Sequence, residues 1–118
     1  MATLTRRERE IQDLRTKIID QSWLIIVNEG LQALSIRKIA DAIEYSVPII
    51  YKHFENKEAI LAHFSKEGYT LLSERIGSAW QNQEKGAQKI KTIAKTYWEF
   101  AVENTSHYRI MFGLGIPA

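Results

Sequence analysis

The amino-acid sequence predicts an all-α fold, and three observations support this prediction. Apolar residues recur at intervals of three and four along most of the chain, which is the period of an amphipathic helix. Serine, asparagine and glycine stand where such stretches would begin or end. We find no alternating apolar and polar pattern that would compete as a β-strand.

The composition limits the kinds of protein that this chain can be. With 118 residues, 45% hydrophobic and 25% charged, it resembles an ordinary globular protein that can bury a core. It has no cysteine, so neither a disulfide framework nor a thiolate metal site can form. Its three histidines lack metal-motif spacing. No apolar run approaches the ~18–20 residues that span a bilayer, and no signal peptide is evident. We therefore expect a cytoplasmic protein with no metal, cofactor or membrane partner.

The first predicted helix begins near Arg7 or Ile11 and ends at Glu29. Gly30 follows as a natural helix stop, because glycine tolerates the left-handed conformation in which many helices end. The apolar stripe of this helix predicts which face is buried. Its members are Ile11, Leu14, Ile18, Ile19, Ile25 and Ile26.

Two short helices are predicted next. Ser35 can cap the first, because its hydroxyl can accept a hydrogen bond from a free amide in the first turn. The apolar face of that helix consists of Ile36, Ile39, Ala40 and Ile43. Ser46 is the next candidate cap, and Pro48 suits a first turn because its missing N–H costs little there. Ile50 and Phe54 would share a face of this helix, which we expect to run for roughly seven residues from Val47.

A long fourth helix is predicted from Asn56, its candidate cap, with Glu58 in the first turn where the helix dipole favours an acid. Gly68 and Gly77 interrupt it, each at a cost of roughly 1 kcal/mol relative to alanine. The polar residues 81–86 predict a loop. A fifth helix follows and ends near Asn104, and a last short helix covers residues 108–112 before a glycine- and proline-containing end.

Two short helices joined by a tight turn form a helix-turn-helix, whose second helix can enter a DNA major groove. The candidates for contact with bases are Val47, Pro48, Ile49 and Lys52. Three of them are apolar, so they can contact thymine methyl groups but cannot donate to guanine. We therefore expect a binding site with important thymines and only modest discrimination at each position.

Other outward residues are candidates for contact with phosphates. They are Ser35, Arg37, Tyr51, His53 and Lys57, and together with the four base-facing candidates we call them the recognition surface. Tyr51 could instead pack across the first helix, and a single lysine is usually a plain surface residue. Three arginines before the first helix, at positions 6, 7 and 9, are interleaved with glutamates, which favours a solvated surface over a DNA-binding arm.

The net charge is only +2, so affinity for DNA must come from the placement of charges. We find no nucleophile triad, paired carboxylates or glycine-rich phosphate loop, and we do not expect an enzyme. Near-neutral charge and an apolar recognition helix leave an alternative open, a helical protein-interaction module that does not bind DNA. A selection of bound DNA sequences separates the two functions.

At these positions the chain resembles the TetR family of bacterial transcriptional regulators. The matching residues are Ile39, Ala40, Ser46, Pro48, Ile50, Tyr51, His53, Phe54, Lys57, Glu58 and Leu61. The resemblance covers about residues 11–61 and is weaker over 97–112. Where the family usually has Gly-Val in the turn, this chain has Glu44-Tyr45. Either Glu44 is left-handed, at a cost on the order of 1–2 kcal/mol, or the turn is rearranged and re-aims the helix that follows. Tyr45 is expected to fill a small apolar slot with its hydroxyl edging outward.

The resemblance implies a helix-turn-helix DNA-binding domain in residues 1–55. It also implies that residues 56–118 form a long connecting helix and a truncated C-terminal helical domain. It further implies a homodimer on a palindromic operator and a small-molecule effector that weakens the grip on DNA, which together suggest a ligand-responsive repressor. Carried over by position, the DNA-contacting residues are those of the recognition surface.

Overall fold

The structure, a computed structural model, describes residues 3–81 and 86–113. Within these ranges the chain forms six α-helices and one 3-10 turn without a β-strand, so the predicted all-α class is confirmed. The helices are α1 (Arg6–Glu29), α2 (Ile36–Ile43), α3 (Val47–Tyr51), α4 (Lys57–Gln81), α5 (Gly86–Glu103) and α6 (Thr105–Met111), and the 3-10 turn is Leu31–Ala33. Most of the predicted loop at 81–86 and the chain end after Gly113 lie outside the described residues.

The described residues divide into two compact units between Ile60 and Leu61, inside α4. The first unit holds α1, α2, α3 and the first turn of α4. The second holds the remainder of α4 with α5 and α6. The functional division at residue 55 stays a prediction.

Local capping chemistry explains most helix ends in the first unit. The Ser35 hydroxyl accepts a hydrogen bond from the Lys38 amide at 3.1 Å, and the Asn56 side chain accepts one from the Ala59 amide at 2.9 Å. α1 ends at Gly30, whose φ of 97° is unfavourable for a residue with a side chain. These three boundaries agree with the predictions from sequence.

The prediction for α3 was wrong in two respects. The Ser46 side chain makes no capping hydrogen bond, although Ser46 does precede the helix. The helix is five residues long instead of seven. Beyond Tyr51, the Lys52 and His53 amides bond to the carbonyls three residues earlier, at 3.2 and 2.9 Å, which tightens the backbone into a turn. Lys52 and His53 therefore lie on that turn.

The core of the first unit is built from isoleucine, leucine and phenylalanine side chains. Its most buried members are Ile18, Ile25, Ile26, Leu34, Ile39, Ile50, Phe54 and Ile60. The predicted stripe on α1 is only partly buried, because Ile11 lies 48% exposed near the helix start. The apolar face of α2 is buried at Ile36, Ile39 and Ala40, as predicted.

In the second unit, Leu72, Phe100 and Met111 bring α4, α5 and α6 together around a small core. Gly68 lets α6 approach α4 closely, since a Cβ at this position would lie 2.9 Å from Cγ of Met111. The outer side of α5 is different, because Ile90, Trp98 and Val102 are exposed there at spacings of eight and four residues. Trp98 is the more exposed of the two aromatic side chains at positions 97 and 98, with 69% of its surface accessible.

The two glycines inside α4 are expected to respond oppositely to alanine. Gly77→Ala meets no atom within 4 Å, so it should raise the free energy of unfolding by about 0.5–1 kcal/mol through helix propensity. Gly68→Ala should give no such gain, because Met111 must move aside. Urea unfolding followed by far-UV circular dichroism measures both variants. An equal gain from both would contradict the close packing at Gly68.

Candidate nucleic-acid interface

The orientation of α3 follows from the burial of one residue. Ile50 is fully buried, with 0% exposure, whereas its neighbours Val47 and Ile49 are half-buried. Pro48 and Tyr51 are exposed, and Tyr51 keeps 51% of its surface accessible. Tyr51 therefore does not pack into the core. Three of the four candidates for base contact lie on α3 without being buried, and the fourth, Lys52, lies on the following turn.

All nine residues of the recognition surface lie in the first unit, and none of them is buried. Ser35 and Arg37 are exposed at the start of α2, Lys52 and His53 follow α3, and Lys57 is the first residue of α4. Although the Ser35 oxygen accepts the capping bond from Lys38, a hydroxyl can still donate its own hydrogen. The set thus offers hydrogen-bond donors, three cations and apolar side chains at accessible positions.

The turn between α2 and α3 contains a strained residue. Glu44 adopts a left-handed conformation, with φ 61° and ψ 40°, at the end of α2. The Ala40 carbonyl accepts hydrogen bonds from the Glu44 and Tyr45 amides, the latter at 3.0 Å. This is the helix ending that usually uses glycine. The turn therefore holds Glu44 in a conformation that suits glycine, at an energetic cost.

Tyr45 is partly covered beside α1 and partly open to solvent. Its side chain is 38% exposed, and its ring lies 5.9 Å from the Lys17 ammonium on α1. Beside it is an open cleft of about 420 Å³ lined by Glu10, Asp13, Leu14, Lys17 and Tyr45. The larger side chain is accommodated because it turns towards the surface of α1.

Arg15 is a contributor that sequence reasoning missed. Its guanidinium donates a hydrogen bond to the His53 carbonyl at 3.2 Å and lies 4.2 Å from the centre of the Phe54 ring. Burial, with a smaller contribution from the Arg15 charge, lowers the pKa of His53 below its usual value of 6.5. At neutral pH His53 is therefore an uncharged imidazole, which can donate from one nitrogen and accept at the other.

Two other cations of the first unit, Arg6 and Lys38, take part in ion pairs. Arg6 forms an exposed ion pair with Glu10 at 3.1 Å, and Lys38 is paired with Glu29. The Arg6 pairing agrees with the interpretation of the N-terminal arginines as solvated helix surface. In the part of the chain that the structure describes, no cluster of three potential ligands could hold a metal ion. No helix there is both long and apolar enough to pass through a bilayer.

The fold and this surface are typical of the helix-turn-helix domains of DNA-binding transcriptional regulators. Residues 18–64 match the sequence model of the bacterial regulatory proteins of the tetR family. Over this segment the chain is similar to the tetR family, which agrees with the resemblance predicted from its residues. Regulators of this family are in general DNA-binding proteins without enzymatic activity.

Curated relatives support the same class. The chain is 26% identical over 91 residues to the uncharacterized HTH-type transcriptional regulator YobS of Bacillus subtilis, covering 77% of this chain and 47% of YobS. It is 26% identical over 89 residues to the HTH-type transcriptional activator FasR of Mycolicibacterium smegmatis, covering 75% of this chain and 40% of FasR. The chain thus spans about half the length of these relatives or less.

Solved structures support the fold. The crystal structure of SCO4313 matches with a TM-score of 0.74 and 24% identity, covering 97% of this chain and 54% of that protein. A protein of unknown function from Rhodococcus sp. RHA1 matches with a TM-score of 0.65 and 22% identity, covering 89% and 53% respectively. These likenesses extend beyond the segment that matches the family and include the second unit.

Replacing Glu44 with glycine should stabilise the protein. Relief of the left-handed strain, less the extra entropy of glycine in the unfolded chain, should raise the free energy of unfolding by about 0.5–1 kcal/mol. The matched control is Ala42→Gly at an exposed position of α2, which should lower it by about 0.5–1 kcal/mol. Urea unfolding measures both, and destabilisation by Glu44→Gly would show that the strain argument is wrong.

The lowered pKa of His53 should make stability depend on pH. Between that lowered pKa and 6.5 the unfolded chain binds more protons, so the free energy of unfolding should fall as the pH is lowered through this range. His53→Gln removes this contribution. The free energy of unfolding of the variant should therefore decline less steeply than that of the wild type between about pH 7 and pH 5. The difference between the two free energies of unfolding at about pH 8, where histidine and glutamine are both uncharged, serves as the reference. Parallel curves would contradict the prediction.

Proposed function

We propose that this protein is a cytoplasmic, non-enzymatic regulator that binds a palindromic operator as a homodimer through its recognition surface. Residues 1–55 and Lys57 at the start of α4 make the DNA contacts, and the rest of residues 56–118 belongs to the part that binds an effector and a second copy. One observation carries the proposal. Ile50 is fully buried, and this leaves the opposite side of α3 and the turn that follows it accessible to another molecule. A dimer would place its two recognition helices about one DNA turn, ~34 Å, apart.

The position of Lys57 supports contact with phosphate. It begins α4, where the positive end of the helix dipole disfavours a cation and favours an anion. Helix stability alone therefore does not explain a lysine there. A DNA phosphate would be attracted both by the ammonium group and by the free amides of the first turn. Lys52, exposed on the turn before it, would add a second cation to the same surface.

The apolar members of the recognition surface support a preference for thymine. Pro48 is exposed and Val47 and Ile49 are half-buried, so none of the three is withdrawn into the core. Such side chains can contact the thymine methyl group in the major groove. We propose an operator half-site that contains thymines at the positions facing α3. An all-G·C half-site from a selection experiment would contradict this part of the proposal.

We propose repression as the regulatory outcome, by steric occupation of a promoter that a small effector relieves. The relative FasR is named as an activator, so a reporter assay with the selected operator must establish the sign of regulation. The alternative function is a protein-interaction module without DNA binding. The exposed apolar residues on α5 favour it, because such surfaces mark contact sites.

Removal of one cation tests the proposed function. Lys57→Ala should weaken DNA binding at every sequence and reduce the slope of log affinity against log salt by about 1, since one phosphate contact is lost. It should leave protein stability equal or slightly higher, because the unfavourable cation has left the helix start. Fluorescence anisotropy with selected operator DNA at several salt concentrations measures the affinity.

The controls for this test come from the same chain. Tyr51→Phe should weaken binding without changing the salt slope, because it removes a neutral hydroxyl. Lys91→Ala, an exposed lysine on α5, should change neither quantity beyond about twofold. Wild-type protein that shows no salt-dependent binding to promoter DNA would support the interaction module instead.

A further inference from the structure

We propose that Arg15 is a positioning residue for the recognition surface. Its guanidinium fixes the turn between α3 and α4, so that Lys52, His53 and Lys57 are presented together. The inference rests on the proposed function for its consequence in DNA binding. The contacts that carry it are independent of that function, because they lie within the first unit between α1 and the turn.

The turn after α3 carries several of the proposed contacts. Lys52 and His53 belong to the recognition surface, and Lys57 follows only four residues after His53. The bonds inside the segment are local, since the amides of Lys52, His53 and Phe54 bond to carbonyls of Ile49 and Ile50. Local bonds of this kind shape the turn itself but do not tie it to α1.

Arg15 provides that tie with two different contacts. One N–H bonds to the His53 carbonyl at 3.2 Å, and the guanidinium carbon lies 4.2 Å from the centre of the Phe54 ring. A planar guanidinium can stack on a ring and donate from its edge at the same time. Lysine has a compact ammonium group on a flexible stem and cannot reproduce both contacts.

The burial of Phe54 makes this tie effective. Phe54 is 4% exposed, so the ring that Arg15 covers is itself fixed in the core of the first unit. The carbonyl that Arg15 holds belongs to the preceding residue, whose side chain is a candidate for DNA contact. A fixed ring and a held carbonyl at adjacent positions restrict the direction in which the turn presents His53. Phosphate contacts set the register of a protein on DNA, so such restriction bears directly on affinity.

Three full-length variants test the proposal: Arg15→Met, Arg15→Lys and the control Arg75→Met. Arg75 also combines a hydrogen bond, to Glu103 at 2.7 Å, with a position over an aromatic ring, Phe100 at 6.0 Å. It lies in the second unit, so its loss should not affect the turn. Urea unfolding first establishes that each variant folds.

The first measurement is DNA affinity as a function of salt. Arg15→Met should bind selected operator DNA about tenfold more weakly, the scale of one hydrogen bond from a charged donor, with an unchanged salt slope. Arg15→Lys keeps the charge and should still bind several-fold more weakly. The control should bind within about twofold of the wild type. The proposal would be overturned if Arg15→Lys bound DNA as tightly as the wild type and Arg15→Met reduced the slope of log affinity against log salt by about 1. Arg15 would then contact a phosphate directly.

The second measurement is amide hydrogen exchange at Lys52, His53 and Phe54, whose amides are hydrogen-bonded, and it does not require DNA. Arg15→Met should speed exchange there by about tenfold more than it does in the rest of the first unit, and the control should not. If the wild type fails to bind DNA, the proposed function fails, while this measurement still decides the positioning role. Unchanged exchange in both Arg15 variants would overturn it.

Discussion

The insertion of Ile50 into the core of the first unit determines how the rest of the candidate interface is presented. α3 has five residues, and a helix of that length is not stable in water without tertiary packing. Ile50 supplies this packing and is fully buried, whereas the other members of α3 are not. One anchored side chain turns the remaining side chains outward. The short helix is thus held by its core contact and leaves its outer side free for another molecule.

Two features of the first unit work against stability in this segment. Glu44 adopts a backbone conformation that suits glycine, and Lys57 places a cation at the positive end of a helix. Strain and unfavourable charge tend to persist at functional sites, because neighbouring structure compensates for them. Here both flank α3. With a net charge of only +2, the local placement of cations matters more for DNA recognition than their total number.

The amount that could be predicted from sequence depended on the range of each interaction. The caps at Ser35 and Asn56 and the stop at Gly30 follow from chemistry within a few residues, and the structure agrees with all three. Arg15 could not be predicted, because its hydrogen-bond acceptor is 38 residues away in the chain. The predicted end of α3 was wrong, because tertiary packing decides whether so short a helix continues. Likewise, the reason for Gly68 becomes visible only once α6 is in place beside α4.

The uncovered apolar face of α5 has a consequence for the behaviour of the chain in solution. Electrostatic repulsion between molecules of like net charge helps to keep a protein in solution. This chain has a net charge of only +2, so the repulsion between its copies is weak. Near the isoelectric point of about 8.9 even that weak barrier disappears. Collisions that bring two tryptophan-bearing faces together are then unopposed. Buffers well below that point, of low ionic strength, are therefore the natural choice for concentrating this protein.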